Sequence, residues 1–78
     1  MDELLIDARG LEPPEPLERV LTALGLRRPG QRIRLLLHRE PFPLYTLLQQ
    51  RGLAYATALM PDGNFRILIG DPPLPAGI

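Results

Sequence analysis

The sequence predicts an α/β fold, a two-layer α+β sandwich of order βαβαββ with a mixed four-stranded sheet and both helices on one of its faces. Three observations predict it. Two leucine-rich stretches repeat at helical spacing, each behind a group of prolines. Short apolar or alternating segments stand before, between and after them. A Pro61-Asp62-Gly63-Asn64 turn separates the last two. With 78 residues there is material for one core only. Residues 1–70 are therefore read as a single domain, and 71–78 as a proline-rich tail, extended and loosely held.

The first strand is the apolar run Leu4-Leu5-Ile6, ending at Asp7. A helix is expected over roughly Pro14 to Leu24, because Leu17, Val20, Leu21 and Leu24 form one stripe. Prolines are tolerated in a first helical turn, where the missing N–H has no intrahelical partner anyway. Glu12, Glu15 and Glu18 put negative charge at the positive end of that helix. Gly25 is expected to stop it, with Arg27 and Arg28 just beyond. After the Pro29-Gly30 turn, Ile33, Leu35 and Leu37 alternate with Arg32, Arg34 and Leu36, a strand with one core face and one arginine-bearing face. Leu44, Leu47 and Leu48 mark the second helix, closed by Gly52. Residues 53–60 alternate Leu/Tyr/Thr/Leu with Ala/Ala/Ala/Met, a strand whose inward face the pattern leaves open. Phe65, Ile67 and Ile69 then face one way and Arg66 and Leu68 the other. Right-handed crossovers place both helices on the same side of the sheet. Leu36 and Leu68 should lie on the open side.

Composition excludes much. Nine arginines balance nine acidic residues, and the zero net charge argues against a general polyanion binder. The chain has no cysteine, so disulfides, thiolate nucleophiles and thiolate-held metals are all absent. One histidine is thin coordination for a metal. Neither a membrane span nor a signal peptide is legible, and a cytoplasmic protein is expected.

Three places could carry function. The start of the first helix, Gly10-Leu11-Glu12-Pro13-Pro14-Glu15-Pro16, has the position of an anion site, but its prolines remove donors and its glutamates repel. His38, Arg39 and Glu40 follow a strand and could converge with Asp7 and Arg9 on one edge, since ligands in open sheets lie beyond strand carboxyl ends. The structural alternative is that Glu40 caps the second helix and Arg39 pairs with an acid such as Glu12. The open sheet face offers Arg32, Arg34, Leu36, Arg66 and Leu68 as an interface; RNA binding there would want a stacked aromatic, for which only Tyr55 is available. Phe42, Tyr45 and Phe65 are read as core or rim.

The run Asp7-Ala8-Arg9-Gly10-Leu11-Glu12-Pro13-Pro14-Glu15-Pro16-Leu17 resembles the opening signature of the TusA/SirA-like sulfur carriers, D-x-x-G-L-x-C-P-x-P. The resemblance implies the same βαβαββ fold. It also implies what the chain does not do, because Pro13 stands where that family bears its persulfide cysteine, and proline has no nucleophile. Together with L-E-P-P-E-P, the segment His38-Arg39-Glu40-Pro41-Phe42-Pro43-Leu44 is similar to a cysteine-less sister family, domain of unknown function 2249. Its members resemble stand-alone proteins or modules joined to metal- or redox-associated domains. The function expected is a non-enzymatic binding or regulatory module acting through a protein partner or small ligand, with no cofactor and no metal. The alternatives are an accessory metal or redox protein using His38 with Glu40 or Asp7, and RNA binding by the open face. Nucleic acid is the less favoured partner, and the sequence leaves oligomeric state open.

Overall fold

The computed structural model describes residues 3–74. Its elements are β1 (Glu3–Asp7), α1 (Glu15–Leu26), β2 (Arg32–Leu37), α2 (Phe42–Gln50), β3 (Ala54–Leu59) and β4 (Phe65–Gly70). The sheet order is β1-β2-β4-β3. β1 and β2 are parallel, with Leu4 beside Ile33 and Ile6 beside Leu35. β4 runs antiparallel to both of its neighbours. The predicted βαβαββ sandwich is the observed one.

Alternation decides where the core sits. In β2, Ile33, Leu35 and Leu37 are buried while Arg32, Arg34 and Leu36 are only half-buried. Ile67 and Ile69 of β4 join Ile33 and Leu35 beneath Val20 and Ala23 of α1 and Leu44 and Leu48 of α2, forming one cluster. Both helices therefore cover the same face, as right-handed crossovers require.

Two helix ends differ in mechanism. α2 closes as expected: Gly52 takes φ +69°, its N–H reaches Gln49 O at 3.1 Å, and Leu53 N–H reaches Leu48 O at 2.9 Å. That pair of bonds is the left-handed glycine termination. α1 does not stop at Gly25, which remains helical; the helix runs on to an exposed Leu26. Arg27 ends it by turning extended (φ −66°, ψ 148°) while its N–H still bonds Ala23 O. A glycine in a last turn is tolerated when its φ stays negative, so composition alone misplaced this stop.

The open question at β3 is settled by Tyr45. Its ring stacks on Tyr55 at 4.4 Å between centroids, and its hydroxyl lies 2.6 Å from Thr57 Oγ1. Tyr55 and Thr57 thus face α2, and Ala54, Ala56 and Ala58 lie on the open face beside Gly70, Leu68 and Arg66. The β3–β4 turn follows its sequence: Gly63 N–H bonds Met60 O, Gly63 takes φ +88°, and Asp62 Oδ1 accepts Asn64 N–H.

The tail is not loosely held as far as it is described. Asp71 accepts two bonds from Arg27 (2.8 and 3.2 Å) and one from Gly30 N–H (3.0 Å). Leu74 returns to the sheet, close enough that a Cβ at Gly70 would stand 3.2 Å from its Cδ2. A carboxylate with three donors outweighs the proline content of the segment. Residues 75–78 of the predicted tail lie outside the described residues.

Leu48 is fully buried at the centre of the cluster, so Leu48→Ala should cost about 2–5 kcal/mol in urea unfolding. The Arg27 guanidinium and the Gly30 N–H hold the Asp71 carboxyl below the usual carboxylate range. A carboxyl depressed in the folded state stabilises above its unfolded pKa, and that stabilisation is lost as pH falls through its folded value. Asp71→Asn should therefore lower the melting temperature near neutral pH. The gap to the native chain should narrow once pH drops below about 4.

Candidate functional site

The parallel pairing of β1 and β2 sets the loops that follow them side by side, and Ala8 N–H continues the ladder to Leu36 O at 2.9 Å. From there one chain segment enters α1 and the other enters α2. Between the two helix starts lies a pocket of about 280 Å³. One wall is Leu11, Pro13, Pro14, Pro16 and Leu17; the other is His38, Arg39, Glu40, Pro41, Pro43 and Leu44, with Leu35 and Leu37 beneath. The lining is almost wholly apolar. A hollow of about 460 Å³ beside β1 and α1 is shallower and mixed in character.

Two motifs read separately in the sequence thus form one site. The signal that could have joined them is a repeated Pro-x-Pro-Leu, at Pro14 to Leu17 and again at Pro41 to Leu44. In both copies the first proline is the N-cap, the second sits in the first helical turn, and the leucine turns to the pocket.

These prolines also decide what the pocket is not. The positive ends of both helices meet here, an arrangement that elsewhere holds phosphate through backbone N–H groups. Pro16 and Pro43 have no N–H to give. Glu15 N–H is bonded to Glu12 O, Phe42 N–H to Glu40 O, and Leu44 N–H to Pro41 O. Most N–H groups at the two helix starts are missing or spent, and the surface left is mainly hydrocarbon.

Polar groups gather at the rim. His38 is exposed, and its Nδ1 accepts Gly10 N–H at 3.3 Å across the two loops. That bond puts the hydrogen of the neutral ring on Nε2, free to donate. Among the described residues Arg39 makes no ion pair or hydrogen bond, so it is not held by Glu12. Glu40 does not cap α2, which starts without a side-chain cap. Its carboxylate instead accepts the Tyr45 hydroxyl at 3.1 Å, in a chain that continues to Thr57. Burial pushes the Tyr45 phenol up, with a further upward push from Glu40 and a counter-effect from the Thr57 hydroxyl.

The predicted convergence of five side chains is therefore partial. His38, Arg39 and Glu40 share the pocket rim, whereas Asp7 and Arg9 close on each other through two bonds of 2.8 and 2.7 Å. Arg9 holds the exposed Asp7 carboxyl down at about 2. Strand alternation explains the separation: Asp7 falls in the open-face row with Leu36 and Arg66, away from the helices. Among the described residues no three histidine or carboxylate side chains gather in a metal-holding group.

The open face is also altered from expectation. Leu68 is there but only 2% exposed, so it presents no surface. Glu3 ties up Arg34 at 3.1 Å and approaches Arg32 at 3.9 Å. Tyr55 faces α2, which takes the expected stacking aromatic away from this face. Of the residues read as core or rim, Phe42 is not core: it is 65% exposed and stands edge-on to the Tyr45 ring.

Residues 5–71 match the sequence profile described as "Uncharacterized conserved protein (DUF2249)". The chain belongs to this family. Both proline motifs of the pocket fall inside the matched range, so the site is part of the family's domain. Among solved structures the chain is similar to a SirA-like protein from Desulfitobacterium hafniense, with a TM-score of 0.77 and 23% identity over 87% of this chain and 99% of that one. That likeness shows the fold. No curated protein matches the sequence. Among the described residues no helix is long and apolar enough to cross a membrane.

Because Tyr45 serves both Glu40 and Thr57, Tyr45→Phe should destabilise the chain by about 0.5–1.5 kcal/mol, and Glu40→Gln by less. Arg39→Ala should stay within about 0.5 kcal/mol, as an unpartnered surface side chain. Thermal melts of the three variants separate a helix cap, which would make Glu40 dominant, from the hydroxyl chain seen here.

Proposed function

We propose that this chain is a non-enzymatic binding module, taking an apolar group of a protein partner or small ligand into the pocket between its helix starts. The observation that carries this reading is that segments far apart in sequence, Leu11 to Leu17 and Leu37 to Leu44, line one cavity of about 280 Å³. Small-molecule sites run from about 300 Å³ upward, so the room suits one ring, a short aliphatic chain or one anchoring side chain. The Arg39 guanidinium and the Nε2–H of His38 supply donors at the mouth, while the Glu40 carboxylate is already engaged by Tyr45. A negative or carbonyl-bearing group beside the apolar one is what such a rim complements. Against catalysis stand Pro13, which offers no nucleophile, and an Asp7 carboxylate committed to Arg9.

Amide NMR spectra recorded while aryl and short-chain carboxylates are titrated in test this reading. Signals of Leu11, Leu17, His38 and Leu44 should move together and saturate, and Arg39→Ala should weaken binding by about three- to tenfold, the worth of roughly one partly exposed charged contact. Shifts spread over the open face, or none at the pocket, would refute it.

A further inference from the structure

The sheet has two edges, and they are guarded differently. β1 carries Glu3 and Asp7 at its ends. β3 reads Ala54-Tyr55-Ala56-Thr57-Ala58-Leu59, without a charge or a proline in its six residues. It is last in the strand order, so every second residue turns its N–H and C=O away from β4, and no described strand meets them. Natural sheets blunt such an edge with charge, proline or a bulge. This one has none of the first two. Large apolar surface lies beside it: Leu59 at the strand end is 68% exposed, and Phe42 stands edge-on to the Tyr45 ring that lies over β3.

We propose that β3 is a self-association edge, on which a second copy of this chain pairs antiparallel about a two-fold axis at Thr57. Two-fold pairing about that residue sets Tyr55 against Leu59 of the partner subunit and Ala56 against Ala58 of the partner subunit. Both pairs keep side chains of one sheet face together, whereas a one-residue slip would not. No like charges meet, and the exposed Leu59 gains an aromatic neighbour at each end of the joint. The same operation on β1, about Leu5, would set Glu3 against Asp7, carboxylate against carboxylate. Glu3 and Asp7 are each paired within their own chain, to Arg34 and Arg9, so β1 would meet a copy through charged side chains where β3 meets it through uncharged ones. An unrelated strand would satisfy the same backbone groups; a copy also supplies the Tyr55–Leu59 match at both ends of the joint, which is the self-complementarity a two-fold interface requires. The inference is independent of what the pocket binds.

Sedimentation equilibrium at high micromolar concentration should give a mass near twice the 8.7 kDa of the chain. Thr57→Lys, which faces two ammonium groups across the axis, and Leu59→Arg should each weaken the dimer at least about tenfold while far-ultraviolet dichroism stays native. The chain has no cysteine, so Thr57→Cys introduces the sole thiol. Residues directly opposite in an antiparallel pair lie about 4.5–5.5 Å apart at Cα, within disulfide reach. Air oxidation should cross-link Thr57→Cys quickly and Leu5→Cys, on the guarded edge, slowly. Should Thr57→Lys not fold, Leu59→Arg and the cross-linking rates decide. A monomeric mass for the native chain, or equal cross-linking at both edges, overturns the proposal.

Discussion

Everything at the site follows from the parallel register of β1 against β2. Five consecutive pairs, from Glu3 with Arg32 to Asp7 with Leu36, bring the two strands out of the sheet at the same level. Each chain then has to turn back over the same face, because both crossovers are right-handed and both helices must bury a leucine stripe on Ile33, Leu35, Ile67 and Ile69. Two helix starts are thereby forced to be neighbours. A slip of one residue would send Ile6 and Leu35 to opposite faces and separate the two loops. The bond from Gly10 to His38 and the wall shared by Leu17 and Leu44 are consequences of that register rather than causes of it.

Given two adjacent helix starts, proline decides their chemistry. A helix N-terminus ordinarily offers unpaired N–H groups and a positive potential, which together attract phosphate or carboxylate. Here Pro14 and Pro41 are the N-caps, and Pro16 and Pro43 sit in the first turns. Proline keeps the helical φ while deleting the donor and adding a ring of hydrocarbon. The potential persists without the groups that would direct it, and Glu15, bonded to Arg19 at 3.2 Å, adds a counter-charge beside α1. The outcome is an apolar pocket where helix starts without proline would offer N–H donors.

Much of the fold was legible because local rules agreed. The alternation in β2, the glycine after α2 and the Pro-Asp-Gly-Asn turn each specify one geometry, and each is observed. Where one residue type permits two outcomes the reading failed. Gly25 can end a helix or lie within one, and the conformation of Arg27, not the glycine, marks the boundary. β3 could not be oriented from its own pattern, since alanines suit either face, and it took the Tyr45 stack to orient it. At the site, residue types were legible and partners were not. Glu40 before Pro41 has the spacing of a cap, yet a hydroxyl five residues on, held in place by Thr57 from another strand, takes the carboxylate instead. Long-range partners of that kind have no local signature.

Charge in this chain is spent mostly on holding loops and edges. Asp7 is closed by Arg9, Asp71 by Arg27 and Gly30, and Glu3 by Arg34. Exposed pairs of this sort contribute little each to stability, but they fix where backbone segments lie and which edges repel a neighbour. Against that background the places left without such a pair carry more information than the pairs do. Arg39 at the pocket mouth has no partner among the described residues, and β3 has no charge to guard it. Neither omission helps the chain fold: a free arginine gives up a contact, and a bare edge invites aggregation. The proposed binding and self-association rest on these two places, the rim of the pocket, with apolar shape and a cation beside it, and the edge of the sheet, with its backbone groups.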